Sequence, residues 1–272
     1  MVAGIRRWRG TSRRALICQN VMARNGTILN NYIICTVQRS GKSWIAETLN
    51  MLGLGYGIEL LTEFERNSAP GQDGLRAALD ADGMIGFARA FAKQRIEGGM
   101  PCASITLQWS DFDAKTDFDV IDHEDRARRL NALIEGLSPC VVFFLHRTDV
   151  LSQAISHVLA NGSGYYHSTC PEGRRPQRAR VPYNREEIEE YLIYTRRCYA
   201  EWSHLFSVAG VVPEVLHYED FVQDPIQNFA SLAQRIAGCS FKPEAISAAS
   251  AFHSKISNET DEAFRARYLA GE

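Results

Sequence analysis

A continuous apolar run that leads straight into a Ser-Gly turn and a helical pattern constrains this chain most. Residues 31–37, NYIICTV, are mostly apolar, and the segment KSWIAETLNML that follows Gly41 has apolar residues at helical spacing. A second apolar run, CVVFFLH at 140–146, is likewise followed by a helical segment at 149–160. Strands that are buried on both faces and alternate with helices pair in parallel. The sequence therefore predicts an α/β protein with a P-loop-like three-layer fold, in which helices flank a central parallel β-sheet.

The rest of the chain adds elements of the same kind. We expect an extended segment at 102–109 and a short strand at 214–218. Helical patterns occur near 74–97, 124–136, 185–208, 225–237, 243–251 and 260–269. The 272 residues are enough for one large domain, which we place at 31–272. The Arg-rich segment 162–182, with several Gly, Ser and Pro residues, predicts a mobile loop, either an ordinary insertion or a lid over the site.

Charge and cysteine content limit where the protein works. Residues 1–30 contain six arginines and no acidic residue, the first of which in the chain is Glu47, so they form a basic N-terminal arm. The apolar part of this arm is interrupted by Gln19 and Asn20, which disfavours a signal peptide, and short Arg-rich tails are often merely solvated, so we expect no nucleic-acid partner. No window has the roughly 18 consecutive apolar residues of a membrane span. Seven cysteines without a C-x-x-C pair are typical of reduced thiols in a cytoplasm, without a zinc site.

The turn after the first strand partly matches the phosphate-binding P-loop, G-x-x-x-x-G-K-[ST]. Thr36 stands where the first glycine belongs, whereas Gly41, Lys42 and Ser43 fit the pattern. The unpaired amides at the start of the following helix, with the side chains of Arg39, Ser40, Lys42 and Ser43, predict a cradle for an anion.

The second apolar strand ends in a different residue from that of a kinase. Enzymes that transfer phosphoryl groups with Mg²⁺ usually hold the metal with an acid at this point, and here His146 and Arg147 follow. A cation at this position favours a second anionic group. A nucleotide with phosphates on both sides of its sugar, such as 3′-phosphoadenosine-5′-phosphosulfate (PAPS), meets both basic sites. The sulfuryl group carries less charge than a phosphoryl group, so side chains and helix amides can stabilise its transfer without a metal.

These segments resemble the PAPS-dependent sulfotransferases, in particular the bacterial group typified by trehalose 2-sulfotransferase. QRSGKSW is similar to the Q-R-S-G-S-T turn of that group, and HRTDVLSQAIS to its second motif. LHYEDF and the C-terminal DEAFRARY extend the resemblance from about Asn31 to Tyr268. The resemblance implies that the 5′-phosphosulfate is held by Arg39, Ser40, Gly41, Lys42 and Ser43. It further implies that Arg147 and Ser156 bind the 3′-phosphate, with Ser152 as a substitute for Ser156, and that Trp44 lies either against the adenine or in the core.

The acceptor side of the reaction needs a base. In the trehalose-type enzymes a Glu shortly after the first helix has this role, and GYGIELLTEFER offers Glu63, which matches better, and Glu59. Four histidines, His123, His146, His157 and His167, recur in no motif that assigns them this role. Thr106 stands where the trehalose-type enzymes have a lysine, so trehalose is not assumed as the acceptor.

Together these observations predict a cytoplasmic sulfotransferase. It would move the sulfuryl group of PAPS in line to a hydroxyl of a carbohydrate, glycolipid or small metabolite, releasing adenosine 3′,5′-bisphosphate and using no metal. Glu63 would act as the general base, and Arg39 and Lys42 would stabilise the transferring group. The relatives suggest a homodimer. Two alternatives remain: a P-loop kinase or NTPase, which S-G-K-S favours, and a non-catalytic nucleotide-binding protein.

Overall fold

A five-stranded parallel sheet forms the centre of the protein. The computed structural model describes residues 29–55, 58–59, 72–109, 122–166, 175–251 and 259–272. The strands lie in the order β2-β3-β1-β4-β5, and the four neighbouring pairs are all parallel. Their bounds are β1 Asn31–Thr36, β2 Ile58–Glu59, β3 Ser104–Gln108, β4 Cys140–His146 and β5 Glu214–His217.

Helices follow the strands in alternation. Their bounds are α1 Lys42–Met51, α2 Gln72–Glu97, α3 His123–Gly136, α4 Val150–Ser163, α5 Arg175–Arg178, α6 Arg185–Ala209, α7 Tyr218–Gln223, α8 Pro225–Ala237, α9 Pro243–Ser250 and α10 Glu259–Ala270. Helix α2 is kinked at Asp82 and Gly83, whose backbone angles are not helical. No helix in these described ranges is long and apolar enough to cross a membrane.

The central strands are buried on both faces because their residues alternate between two cores. Ile33 of β1 and Phe144 of β4 face the core formed with α2, α3 and α6. Ile34 and Phe143 face the opposite core, formed with α1, α8 and α9. Each of these four side chains is no more than 6% exposed, which explains why β1 and β4 are apolar without interruption rather than alternating.

The predicted α/β fold with a parallel sheet is confirmed. The expected strands and helices are present, whereas the two-residue strand β2 and the short helices α5 and α7 were not predicted. Within the segment 162–182, the structure describes the end of α4 and the helix α5, and residues 167–174 lie outside the described ranges. A third cluster of apolar side chains, which includes Ile155, Ile188 and Phe264, joins α4, α6 and α10.

The sheet order places the two predicted anion-binding turns side by side. Strands β1 and β4 are neighbours, with Thr36 of β1 opposite Leu145 of β4. The chain leaves both strands at the same edge of the sheet. Parallel α/β sheets bind ligands in the crevice outside the carboxyl ends of their strands. The turns at 37–41 and 147–149 are therefore the walls of the candidate site.

Candidate functional site

The turn between β1 and α1 has an unusual backbone. Gly41, the residue before α1, has φ = 89°, and no side chain caps the helix. Arg39 has φ = 64° and is the one non-glycine residue with positive φ in the described chain. Such a conformation costs about 1–3 kcal/mol and persists where the surroundings enforce it, most often at functional sites. The amides of Trp44 and Ile45 donate to the carbonyl oxygen of Gly41, so the helix begins directly at the turn.

Gly41 is required by a close contact as well as by its φ angle. A Cβ atom at this position would lie 2.3 Å and 2.4 Å from the Cδ2 and Cε2 atoms of Tyr218. Tyr218 begins helix α7, directly after β5. The Y-E-D segment therefore packs its tyrosine ring against the turn that was predicted to bind an anion.

Buried polar contacts hold the turn to the sheet. The Ser40 hydroxyl lies 2.5 Å from the Thr36 hydroxyl, and both side chains are fully buried. Thr36 also donates to the carbonyl oxygen of Leu145 at 3.2 Å, and its own carbonyl accepts from the Trp202 indole at 2.9 Å. The Ser40 side chain is thus directed at Thr36 and holds the turn to the end of β1.

Arg39 and Ser156, which the resemblance assigns to opposite ends of the nucleotide, contact each other. The Nε and Nη2 atoms of Arg39 each lie 3.1 Å from the Ser156 hydroxyl, and its Nη1 donates to the carbonyl oxygen of Tyr166. One guanidinium therefore spans the first turn, the middle of α4 and the chain just after α4.

Arg147 directly follows β4 and contacts both the first turn and Tyr218, the first residue of α7. Its Nη1 donates to the carbonyl oxygen of Arg39 at 3.2 Å, and its guanidinium lies 5.0 Å from the centre of the Tyr218 ring. The Nε atom is buried and has no hydrogen-bond partner among the residues that the structure describes. The guanidinium thus has an Nε–H donor beside the first turn that forms no hydrogen bond with the described residues.

The backbone after Arg147 is held by a carboxylate of the Y-E-D segment, to which the sequence analysis assigned no role. Glu219 accepts hydrogen bonds from the amides of Thr148 and Asp149, both at 3.1 Å. Partial burial raises the pKa of Glu219, but these amides outweigh that effect, so its pKa is lowered and the carboxylate is ionised at neutral pH. Tyr218 and Glu219 together brace the two turns.

Ser152, the substitute for Ser156, is already engaged. Its hydroxyl donates to Asp149 at 2.8 Å and accepts from Arg265 of α10 at the same distance. Arg265 also bonds both oxygens of Asp149, at 2.8 Å and 3.0 Å. The DEAFRARY segment therefore reaches the start of α4, where the second turn ends.

The remaining predicted residues of the first turn lie at the start of α1. Lys42 and Ser43 are its first two residues, and the side chain of Ser43 is exposed. Trp44 packs edge-on against Phe229 at 5.4 Å, and its indole donates to the carbonyl oxygen of Ser250 at 2.9 Å. This indole is part of the core on the α8 side, while its predicted contact with adenine stays a prediction.

The structure describes some of the candidate bases and not others. Glu63 and His167 lie outside the described residues, and Glu59 is described only as the second residue of β2. Burial and the neighbouring Arg39 lower the pKa of His157 to about 4, and its ring stacks on Tyr191. His157 is therefore neutral at physiological pH.

The other two histidines also have close partners. Burial and the nearby His217 lower the pKa of His146, whose ring lies 4.1 Å from that of Tyr199. His123 is 3.0 Å from a carboxylate oxygen of Glu201. In the described part of the chain, no group of three or more His, Cys, Asp or Glu side chains is arranged to hold a metal ion.

A comparison with protein families gives a match over the C-terminal part of the chain. The family model of the Stf0 sulphotransferases matches residues 110–271, more than half of the chain. That match includes Arg147, Ser156 and Arg265, and it begins after the first turn.

Solved structures of sulfotransferases resemble the chain more distantly. The sulfotransferase domain of the Synechococcus PCC 7002 olefin synthase is 14% identical, with 88% of each chain covered and a TM-score of 0.45. The sulfotransferase from Alicyclobacillus acidocaldarius is 17% identical, with 89% of this chain and 90% of that chain covered and a TM-score of 0.42. No curated protein sequence matches this chain.

The fold defines an α/β protein in which two basic turns lie side by side at the carboxyl edge of a parallel sheet. The chain belongs to the Stf0 sulphotransferase family, the family of trehalose 2-sulfotransferase. It is accordingly an enzyme, a transferase that moves sulfuryl groups.

Proposed function

We propose that the sulfuryl donor is PAPS and that the acceptor is a hydroxyl of a carbohydrate, glycolipid or small metabolite. The observation that carries the donor assignment is the direct contact between the two basic turns, in which Arg147 donates to the carbonyl oxygen of Arg39 at 3.2 Å. Two cationic turns this close suit one nucleotide with phosphates on both sides of its ribose. A nucleotide with a single phosphate chain would leave one of them without an anion.

The state of Arg147 supports this donor. Its buried Nε atom has no hydrogen-bond partner among the described residues, and an unmade hydrogen bond at a buried donor costs about 1–3 kcal/mol. An anionic oxygen beside the guanidinium would remove that cost. Tyr218, below the same guanidinium, keeps the cation in place before the nucleotide arrives.

The proposed roles of the side chains follow the two ends of the nucleotide. Arg39, Lys42 and the amides at the start of α1 would hold the 5′-phosphosulfate, and Arg147 with Ser156 would hold the 3′-phosphate. The acceptor oxygen bonds to sulfur as the bond from sulfur to the 5′-phosphate oxygen breaks, and the hydroxyl proton passes to Glu63. Arg39 and Lys42 stabilise the negative charge that collects on the departing phosphate. Adenosine 3′,5′-bisphosphate and the sulfated acceptor leave.

Three further assignments accompany this proposal. Residues 31–272 form the catalytic domain. The enzyme is cytoplasmic, in keeping with the free thiols of Cys35, Cys140 and Cys239. It forms a homodimer, as the resemblance to the trehalose-type enzymes implies.

Calorimetric titration in metal-free buffer tests the donor. We expect adenosine 3′,5′-bisphosphate to bind and ADP to bind at least about tenfold more weakly, because one basic turn then lacks an anion. Arg147→Ala should remove most of this preference. Arg89→Ala, which removes a half-exposed arginine that contacts Asp82 and Glu135, is the matched control. Preference for ADP, seen only with Mg²⁺, would contradict the proposal and favour the kinase alternative.

Sulfation of a panel of hydroxyl acceptors tests the base. We expect Glu63→Gln to lower turnover by about 10²–10⁴-fold while bisphosphate affinity stays unchanged, since the carboxylate would act on the acceptor proton. Glu59→Gln is the matched control. Full turnover by Glu63→Gln would show that another group is the base. Bisphosphate binding without sulfation of any acceptor would favour the non-catalytic alternative.

A further inference from the structure

A chain of buried hydrogen bonds joins the two basic turns from behind. The side-chain amide nitrogen of Gln153 on α4 donates to the carbonyl oxygen of Gln38 at 2.6 Å. Its amide oxygen accepts from the hydroxyl of Tyr199 on α6 at 3.0 Å. The same hydroxyl accepts from the backbone amide of Arg147 at 3.0 Å. Gln153 is fully buried and Tyr199 is 7% exposed, so water does not compete for these bonds.

The direction of every bond in this chain is determined by its two ends. The Arg147 amide can only donate and the Gln38 carbonyl can only accept. The single hydroxyl proton of Tyr199 therefore goes to Gln153, whose amide oxygen must face it. Burial raises the pKa of Tyr199 to about 12, which keeps that proton in place. The Tyr199 hydroxyl thus accepts from the Arg147 amide at one end of the chain of bonds, and the Gln153 side-chain nitrogen donates to the Gln38 carbonyl at the other.

The sheet alone does not set the spacing between the turns. Its pairing of β1 with β4 ends at Thr36 and Leu145, and Gln38 and Arg147 lie beyond that point. The contact between Arg147 and Arg39 joins residues 108 positions apart in sequence. Beyond the last sheet pair, side-chain contacts must hold the turns at a given separation.

We infer that Tyr199 and Gln153 are positioning residues that set the separation of the two basic turns and so make the site select nucleotides with phosphates on both sides of the ribose. This inference rests on the proposed function. Neither residue is among the groups that are proposed to bind the phosphates. They act through the backbone of Arg147 and of Gln38, the residue before Arg39, and so position the two arginine side chains that are proposed to bind the phosphates.

The test compares two nucleotides that differ only in the 3′-phosphate. The affinities for adenosine 3′,5′-bisphosphate and adenosine 5′-monophosphate are measured for the wild type and for Tyr199→Phe, which removes only the hydroxyl. We expect the preference for the bisphosphate to fall about tenfold, the effect of losing one well-made hydrogen bond at Arg147. Affinity for the monophosphate should change less than about twofold, because the Gln38 contact remains.

A matched variant separates this role from general stability. Tyr183→Phe removes another phenolic hydroxyl, one that donates to the carbonyl oxygen of Glu272 at 3.0 Å. It should leave the preference unchanged. If Tyr199→Phe folds and weakens both nucleotides equally, or neither, the inference is wrong while the proposed function stands. If the wild type shows no preference for the bisphosphate, the proposed function itself fails.

Hydrogen exchange on the wild type gives a test that no folding defect can obscure. Bound adenosine 5′-monophosphate should slow amide exchange at 38–43, where it binds. If the chain of bonds couples the turns, exchange at 147–149 slows as well, although this nucleotide carries no group for Arg147. Protection confined to 38–43 would overturn the inference.

Discussion

Replacing Gly41 by alanine tests the contact on which the shape of the site depends. The new Cβ atom would lie 2.3 Å from the Tyr218 ring, and carbon atoms normally approach no closer than about 3.5 Å, so one of them must move by about 1 Å. The ring is held by the edge of Trp44 and lies beneath Arg147, which makes this movement costly. Overpacking of this kind costs about 1–3 kcal/mol.

The backbone adds a second cost. Gly41 has φ = 89°, and a side chain in the left-handed region costs about 1–2 kcal/mol. The two effects together predict a loss of about 2–5 kcal/mol in the free energy of unfolding, with weaker nucleotide binding because Arg147 moves with the ring. Equilibrium urea unfolding measures the loss as a lower midpoint at an unchanged slope.

A second glycine separates the two effects. Gly210 has φ = 65°, and an added Cβ atom there would meet nothing within 4 Å, so Gly210→Ala should show the backbone cost alone. In a Tyr218→Ala background, the loss of stability caused by Gly41→Ala should fall to the value measured for Gly210→Ala. Equal losses for Gly41→Ala and Gly210→Ala in the wild-type background would refute the close approach of Tyr218.

Two further predictions concern buried ionisable side chains. The pKa of His157 in the folded protein is about 4, below its ordinary value of 6.5. Between these two values the unfolded chain binds a proton at His157 that the folded chain does not, so stability is lost as pH falls. Between pH 7 and pH 5 the wild type should therefore lose about 1–2 kcal/mol more stability than His157→Gln, as measured by urea unfolding, and equal losses would contradict the buried neutral imidazole. Arg178 is 1% exposed and bonds Asp261 at 2.6 Å, so Asp261→Asn should cost about 3 kcal/mol in thermal unfolding. Glu189→Gln, which breaks a half-exposed pair with Arg185, should cost less than about 1 kcal/mol, and similar losses for both variants would exclude a buried pair.

The site shows which residues a sequence can reveal. Arg39 was predicted from the partial P-loop match of the first turn, and Arg147 from the cation that follows the second apolar strand where a kinase has a metal-binding acid. Tyr218 lies in the Y-E-D segment that the sequence did single out, but nothing local indicated that its ring packs on Gly41. Gln153 and Tyr199 lie in ordinary helical patterns with no signal of a buried polar link.

The sequence by itself determined the layers of this protein. Continuous apolar runs can be satisfied only by strands buried on both faces, and helical spacing in the segments between them requires covering helices, so β1, β4 and most of the helices follow from local pattern. Tertiary structure alone decided which side chains meet. Ser156 lies against Arg39, Arg178 is buried against Asp261, and Tyr199 reaches the amide of Arg147. These contacts join residues far apart in the chain, and their formation depends on helix packing over the sheet, which leaves no periodic trace in the sequence.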